Sequence, residues 1–175
     1  MADEARILNV LFLCPDNAAR SIIAEAIMNR DGLGRYRAFS AGSYPAAKIN
    51  PHTVRLLKGL HFPVNELRPK AWAEFAGPKS PELDFVFVLD AEAAEEIWPE
   101  WPGDPVTARW LMPDPATSTG AAADISRGFA DAYRTLNLRI ELFLRLPLAL
   151  LDRLTLRERL DSIGRSNFDP VVTAR

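Results

Sequence analysis

Cysteine is almost absent from this sequence: among 175 residues only Cys14 carries a thiol. A single thiol excludes an internal disulfide and any zinc site built from paired cysteines. Histidine is scarce too. His52 and His61 stand apart with no ligand-spaced companion, so no metal centre is expected, and no motif calls for a bound cofactor. Neither sign of charge dominates. Lys and Arg number 21 against 23 Asp and Glu, a formal net charge of -2, which excludes the strongly basic surface of a general nucleic-acid binder. Long apolar runs are missing as well: Val10 to Leu13 is far short of the ~20 residues that cross a bilayer. The opening stretch Met1 to Arg6 has no basic segment leading into an apolar one, so no secretory signal is read. A free thiol without an export signal points to a reducing, cytoplasmic setting.

What is present is an alternation of short apolar runs with helix-spaced segments. The chain is 48% apolar and of single-domain length, enough to bury ~70% of its unfolded surface without a covalent staple. Ile7 to Leu13 and Leu83 to Leu89 are nearly continuous apolar runs, as expected of strands buried on both faces of a parallel sheet. Tyr36 to Ala41 and Ala108 to Met112 read as two further strands. Between them fall helices over Ser21 to Asn29, from Asn50-Pro51 onward, and over Ala91 to Ile97. A long helix is expected from Asp124 to Leu146, with Ile125, Phe129, Tyr133, Leu136, Ile140 and Phe143 on one stripe. The expected fold class is therefore α/β, a four-stranded parallel sheet in three layers with helices on both faces. Residues 1–150 read as the main domain and 151–175 as a helical extension and tail. In that extension Leu156, Leu160 and Ile163 form one apolar stripe, either a homodimer contact or a helix folded back on its own domain.

The chemistry concentrates in Cys14-Pro15-Asp16-Asn17-Ala18-Ala19-Arg20-Ser21, between a buried strand and an amphipathic helix. In an open parallel sheet, ligands bind at the carboxyl ends of strands. A loop there turns its amides toward a common centre, and the helix N-terminus adds ~+0.5 charge. Five residues between Cys14 and Arg20 are enough to wrap a tetrahedral oxyanion, so that sulfur and guanidinium meet the same guest. The oxyanion loop is thus Pro15, Asp16, Asn17, Ala18, Ala19, Arg20 and Ser21, and Ser21 is placed to donate to the sulfur. These groups together are expected to lower the Cys14 pKa and yield a nucleophilic thiolate. A lone cysteine ending a strand is ordinarily a small packing residue; the Arg-Ser pair at this spacing argues for a site.

Val10-Leu11-Phe12-Leu13-Cys14, Arg20-Ser21 and Ala24-Glu25-Ala26 resemble the phosphate loop of the low-molecular-weight protein tyrosine phosphatases. The same superfamily includes the thioredoxin-coupled arsenate reductases. Phe39-Ser40-Ala41-Gly42 is similar to the second-strand signature, and Ile49-Asn50-Pro51 and Arg68-Pro69-Lys70 to segments of the reductase branch. Trp110-x-x-Pro113-Asp114-Pro115 is similar to its Asp-Pro motif. The resemblance implies that Cys14 is the nucleophile, Arg20 the anion ligand and Asp114 the acid that protonates the leaving oxygen. It also implies that Asn17, in a left-handed conformation, braces the loop with Ser21 and Ser40.

Four departures matter. Asp16 stands where the family commonly has glycine, and Ala18 where reductases often carry serine. Ala116-Thr117 replaces the tyrosine that phosphatases often place after Asp-Pro. No second cysteine follows Val88-Leu89-Asp90, so an internal thiol relay is impossible. Three functions remain open: a cysteine phosphatase acting on a phosphotyrosine protein or similar aryl phosphate, an arsenate reductase using an external thiol or glutaredoxin-type reductant, and an oxyanion-binding pseudo-enzyme. None calls for nucleic acid, membrane or metal.

Overall fold

The computed structural model describes residues 5–167. Its strands are β1 (Leu8–Leu13), β2 (Tyr36–Ala41), β3 (Phe85–Val88) and β4 (Val106–Arg109). Its helices are α1 (Arg20–Asp31), α2 (Pro51–Gly59), α3 (Ala91–Glu95), α4 (Ala122–Leu144) and α5 (Arg153–Ile163). All strand pairs are parallel, in the order β2-β1-β3-β4. The chain leaves β1 toward β2 and returns to the other side for β3, so the direction of winding reverses between β1 and β3. Their carboxyl ends open the crevice in which such sheets bind ligands.

The two sheet faces are unequally covered. Val10, Phe12, Phe85, Phe87, Ala108 and Trp110 face α1, α2, α4 and α5 and form the larger core. Leu11, Leu13, Val86 and Val88 point the other way, against Leu83, Ala93 of α3 and Phe75, with Trp98 and Trp101 packed around them. Continuous apolar strands are required because both faces are dry. An aromatic column stiffens the larger core: Phe12 stacks on Phe87 at 5.5 Å, Phe87 meets Trp110 at 4.0 Å, and Phe143 of α4 abuts Phe85 at 5.1 Å.

Several boundaries differ from the sequence expectation. β4 starts at Val106 rather than Ala108, because Phe85 pairs with Val106 and the ladder with β3 begins there. It ends at Arg109, although the amides of Trp110 and Met112 still reach the Val88 and Leu89 carbonyls. α4 ends at Leu144, not Leu146. Leu146 precedes Pro147, and the residue before proline is disfavoured in helical geometry. α5 folds back: Leu156, Leu160 and Ile163 are buried in the chain's own core, and Trp110 Nε1 donates to the Leu160 carbonyl at 2.9 Å. That stripe is therefore covered and offers no dimer face. The tail expected beyond residue 167 lies outside the described residues. No helix among the described residues is long and apolar enough to cross a membrane.

Candidate active site

The segment after β1 is turned inside out by its neighbours. The Pro15 carbonyl accepts from the Tyr44 amide at 2.9 Å and the Asp16 carbonyl from the Ala46 amide at 2.9 Å. The Ala18 carbonyl takes the Asn50 amide at 3.1 Å and the Thr53 hydroxyl at 3.0 Å. With the carbonyls drawn outward, the amides of Asp16, Asn17, Ala18, Ala19 and Arg20 have no acceptor among the described residues. Unpaired amides at the start of a helix form an anion cradle. Gly42 lets the loop lie this close to β2: a Cβ there would stand 2.7 Å from the Cys14 carbonyl oxygen and would strike that of Pro15.

Asn17 adopts φ 49° and joins the loop to the segment after α2. Its Oδ1 accepts from the Lys70 amide at 2.8 Å, so its Nδ2 is the atom that donates to Ser21 Oγ, at 2.7 Å. The Ser21 oxygen is thus an acceptor toward Asn17, and its proton is free for Cys14 Sγ, 2.8 Å away. Behind this bond lies a buried polar cluster. Ser40 Oγ donates to Glu25 at 2.7 Å, and Lys70 Nζ lies 3.7 Å from the same carboxylate. Ser40 thus bonds Glu25, and the Lys70 backbone is the part of this cluster that touches the loop. Burial raises the Glu25 pKa against the pull of Lys70, and burial lowers that of Lys70.

The expected lowering of the Cys14 pKa is overturned. Burial pushes the thiol up to about 11, against the Ser21 hydroxyl bond, the Arg20 charge and the Ser21 amide. The Asp16 carboxylate, 3.7 Å from the sulfur, adds to the rise. Burial explains the reversal: the residue is 1% exposed, so a thiolate would lose nearly all its hydration. The Arg20 guanidinium lies 2.8 Å from Asp90 and 3.7 Å from Asp114, and bonds the Met112 carbonyl at 3.0 Å. A thiol pKa near 11 leaves a thiolate fraction on the order of 10⁻⁴ at pH 7. Iodoacetamide alkylation of Cys14 is therefore expected to be slow at neutral pH and to climb through pH 10. Asp16→Asn removes the carboxylate that opposes the thiolate, so its alkylation profile is expected to move to lower pH. An unmoved profile would show that the Asp16 charge does not act on the sulfur.

Asp90 serves two elements at once. One oxygen caps α3 by accepting from the Glu92 and Ala93 amides at 2.8 and 3.2 Å, and the other holds Arg20. Burial alone would raise its pKa; the Arg20 bond and charge and the two amides outweigh that and hold the carboxyl below its ordinary value. Asp114 stands at the rim. One oxygen accepts from the Ala116 amide at 2.9 Å and the other faces Arg20. The loop thus gathers Cys14, Asp16, Asn17, Arg20 and Ser21, and Arg20 links it to Asp90 and Asp114. Tyr44 is 77% exposed at the loop's outer wall, and His52 packs against Phe129 at 5.3 Å.

Residues 9–137 match the family model for the low molecular weight phosphotyrosine protein phosphatases. The chain belongs to that family. Its structure is similar to that of an arsenate reductase in a phosphate-binding state, with 18% identity, a TM-score of 0.64 and coverage of 79% of this chain and 97% of the other. It is also similar to the low molecular weight protein tyrosine phosphatase from T. tengcongensis (21% identity, TM-score 0.61, 79% and 99% covered). A third likeness is to an arsenate reductase from Archaeoglobus fulgidus DSM 4304 (24% identity, TM-score 0.58, 75% and 98% covered). At these identities the solved structures establish a common fold. No curated protein sequence matches the chain.

Within this phosphatase-family frame, sequence reasoning missed Asp90, Glu25 and Lys70 as parts of the site. Asp90 was findable: it directly follows β3, whose carboxyl end borders the crevice. Lys70 was not, because its link to Asn17 spans 53 positions and runs through the backbone.

Proposed function

We propose that the protein is a cysteine-dependent phosphatase acting on aryl phosphate monoesters, phosphotyrosine proteins being the fitting class. The five amides of residues 16–20 that have no acceptor among the described residues, in the same loop as a buried thiol hydrogen-bonded to Ser21, carry this reading. In the proposed reaction the amides and Arg20 hold the phosphoryl oxygens, and Cys14 attacks phosphorus as the thiolate. The thiol proton leaves to a phosphoryl oxygen of the incoming dianion, since the buried sulfur holds it tightly. Asp114 protonates the departing phenolate, and the cysteinyl-phosphate is then hydrolysed by water whose proton Asp114 accepts. Asp90 positions Arg20 rather than touching substrate. A free nucleophilic thiol of this kind suits a reducing cytoplasm.

Asp114→Asn is expected to lower kcat for phenyl phosphate by about 10²–10⁴-fold with little change in KM. The loss should shrink for aryl leaving groups of low pKa, which need no proton. An equal loss for all leaving groups would remove Asp114 from the acid role, and no hydrolysis by the intact protein would sink the phosphatase reading.

The likeness to arsenate reductases favours one second reading. Arsenate would condense with Cys14, and an external thiol would attack the sulfur to form a mixed disulfide and release trivalent arsenic. An external reductant is required because Cys14 is the chain's only cysteine. Arsenate-dependent thiol consumption with a glutaredoxin or thioredoxin system, absent in Cys14→Ser, would support it.

A further inference from the structure

β4 is an edge strand, with β3 on one side and no strand on the other. Along its outer side runs a groove of about 900 Å³ whose walls are basic. Arg109, Arg139, Arg153, Arg157 and Arg165 line it against a single carboxylate, Asp161. This concentration stands out in a chain of net charge -2. The guanidiniums of Arg157 and Arg165 are exposed and have no hydrogen-bond or ion-pair partner among the described residues. Arg109 and Arg153 have only exposed acids as ion-pair partners, Glu95 at 3.3 Å and Asp104 at 3.5 Å, contacts that are weak in water, and Arg153 also donates to the Asp104 and Pro105 carbonyls at 3.0 and 3.1 Å. Arg139 is the floor. It is 1% exposed, has no carboxylate partner among the described residues, and bonds the Trp110, Leu111 and Ser166 carbonyls and Asn167 Oδ1. Burial brings its pKa down to about 10, so it stays charged at neutral pH.

The backbone of the edge is open in the middle. Val106 and Trp110 donate inward to the Asp84 and Val88 carbonyls, so the parallel register turns the amide and carbonyl of Thr107 and Arg109 outward. The Arg109 amide is taken by Asp161 at 3.3 Å, and its carbonyl is covered by Gly164, where any Cβ would strike it. The Thr107 amide and carbonyl remain facing the groove.

We propose that this groove binds an extended acidic peptide, added as a fifth strand beside β4. An added strand would pair its main chain with Thr107 and place alternate side chains on the two walls, where carboxylates meet the guanidiniums. The outward amide and carbonyl of Thr107 can continue a main-chain ladder, which a peptide supplies and a nucleic acid does not, and this favours a short acidic peptide. No lining residue belongs to the Cys14 loop, so the proposal does not depend on the phosphatase reading.

The test is fluorescence anisotropy with the full chain and a labelled peptide of roughly eight residues, alternating Glu with Val. Saturable binding is expected, with the Gln-for-Glu peptide weaker by about tenfold or more. Arg157→Glu with Arg165→Glu should weaken binding by about tenfold or more without changing Tm or Cys14 alkylation. Thr107→Pro removes an outward amide that the inward ladder does not use, and should weaken binding comparably. In the wild-type chain, hydrogen exchange at the Thr107 amide should slow when peptide is added, a readout independent of whether the proline variant folds. Absence of saturable binding would overturn the proposal. So would unchanged exchange at Thr107, or an oligonucleotide of equal charge binding as tightly as the peptide.

Discussion

Cys14→Ser is expected to abolish turnover of p-nitrophenyl phosphate, a loss on the order of 10⁴-fold or more. The substitution keeps a small polar atom within reach of Ser21, 2.8 Å from the sulfur, and leaves the amides of the loop untouched. What it removes is the only atom in the loop that can become a competent nucleophile. An alcohol is far harder to ionise than a thiol, and the burial that already raises Cys14 to about 11 would penalise an alkoxide further. Phosphate binding should survive, because the cradle and Arg20 remain. The outcome to measure is therefore a split: kcat lost, inorganic phosphate still protecting the fold against heat. Residual turnover within tenfold of the wild type would mean that another group attacks phosphorus.

Trp110→Ala is expected to destabilise the fold by ~3–5 kcal/mol, the usual range for truncating a fully buried large aromatic. Trp110 is 0% exposed and sits between Phe87, 4.0 Å away, and Phe12, 6.3 Å away. Its indole also donates to the Leu160 carbonyl at 2.9 Å, one of the bonds that tie α5 to the sheet. Truncation leaves a cavity at the end of the aromatic column and takes one of two hydrogen bonds from the Leu160 carbonyl, which keeps the Gly164 amide at 3.0 Å. For a chain of this length the loss corresponds to a fall in Tm of roughly 10 °C or more. Trp110→Phe restores most of the volume but not the N–H, and should cost only about 1–2 kcal/mol. Urea unfolding of both variants checks the pair. Equal losses would mean that the hydrogen bond to α5, and not the packing, dominates.

The strands and the loop were legible because their causes are local. β1 and β3 are buried on both faces, so they must be apolar at nearly every position, and Leu8 to Leu13 and Phe85 to Val88 read that way without any partner in view. The pair Asn50-Pro51 announced α2 for an equally local reason, the Asn50 side chain accepting from the His52 amide at 2.9 Å. The spacing of Cys14 and Arg20 was visible because loop and helix start are contiguous in the chain. β4 was misplaced by two residues at its start and three at its end because its limits are set by what β3 offers across the ladder.

The order of residues alone determined that this is an alternating α/β chain with one thiol at the mouth of its first crossover, since apolar runs, caps and loop spacing act over a few positions. Only the tertiary structure decided how that thiol titrates, because burial, the Ser21 bond and the charges of Arg20 and Asp16 act through space. It alone decided that α5 closes over Trp110, that Lys70 braces Asn17, and that β4 lies at an edge beside five arginines. Those groups lie tens of positions apart, and only the winding of the sheet brings them together.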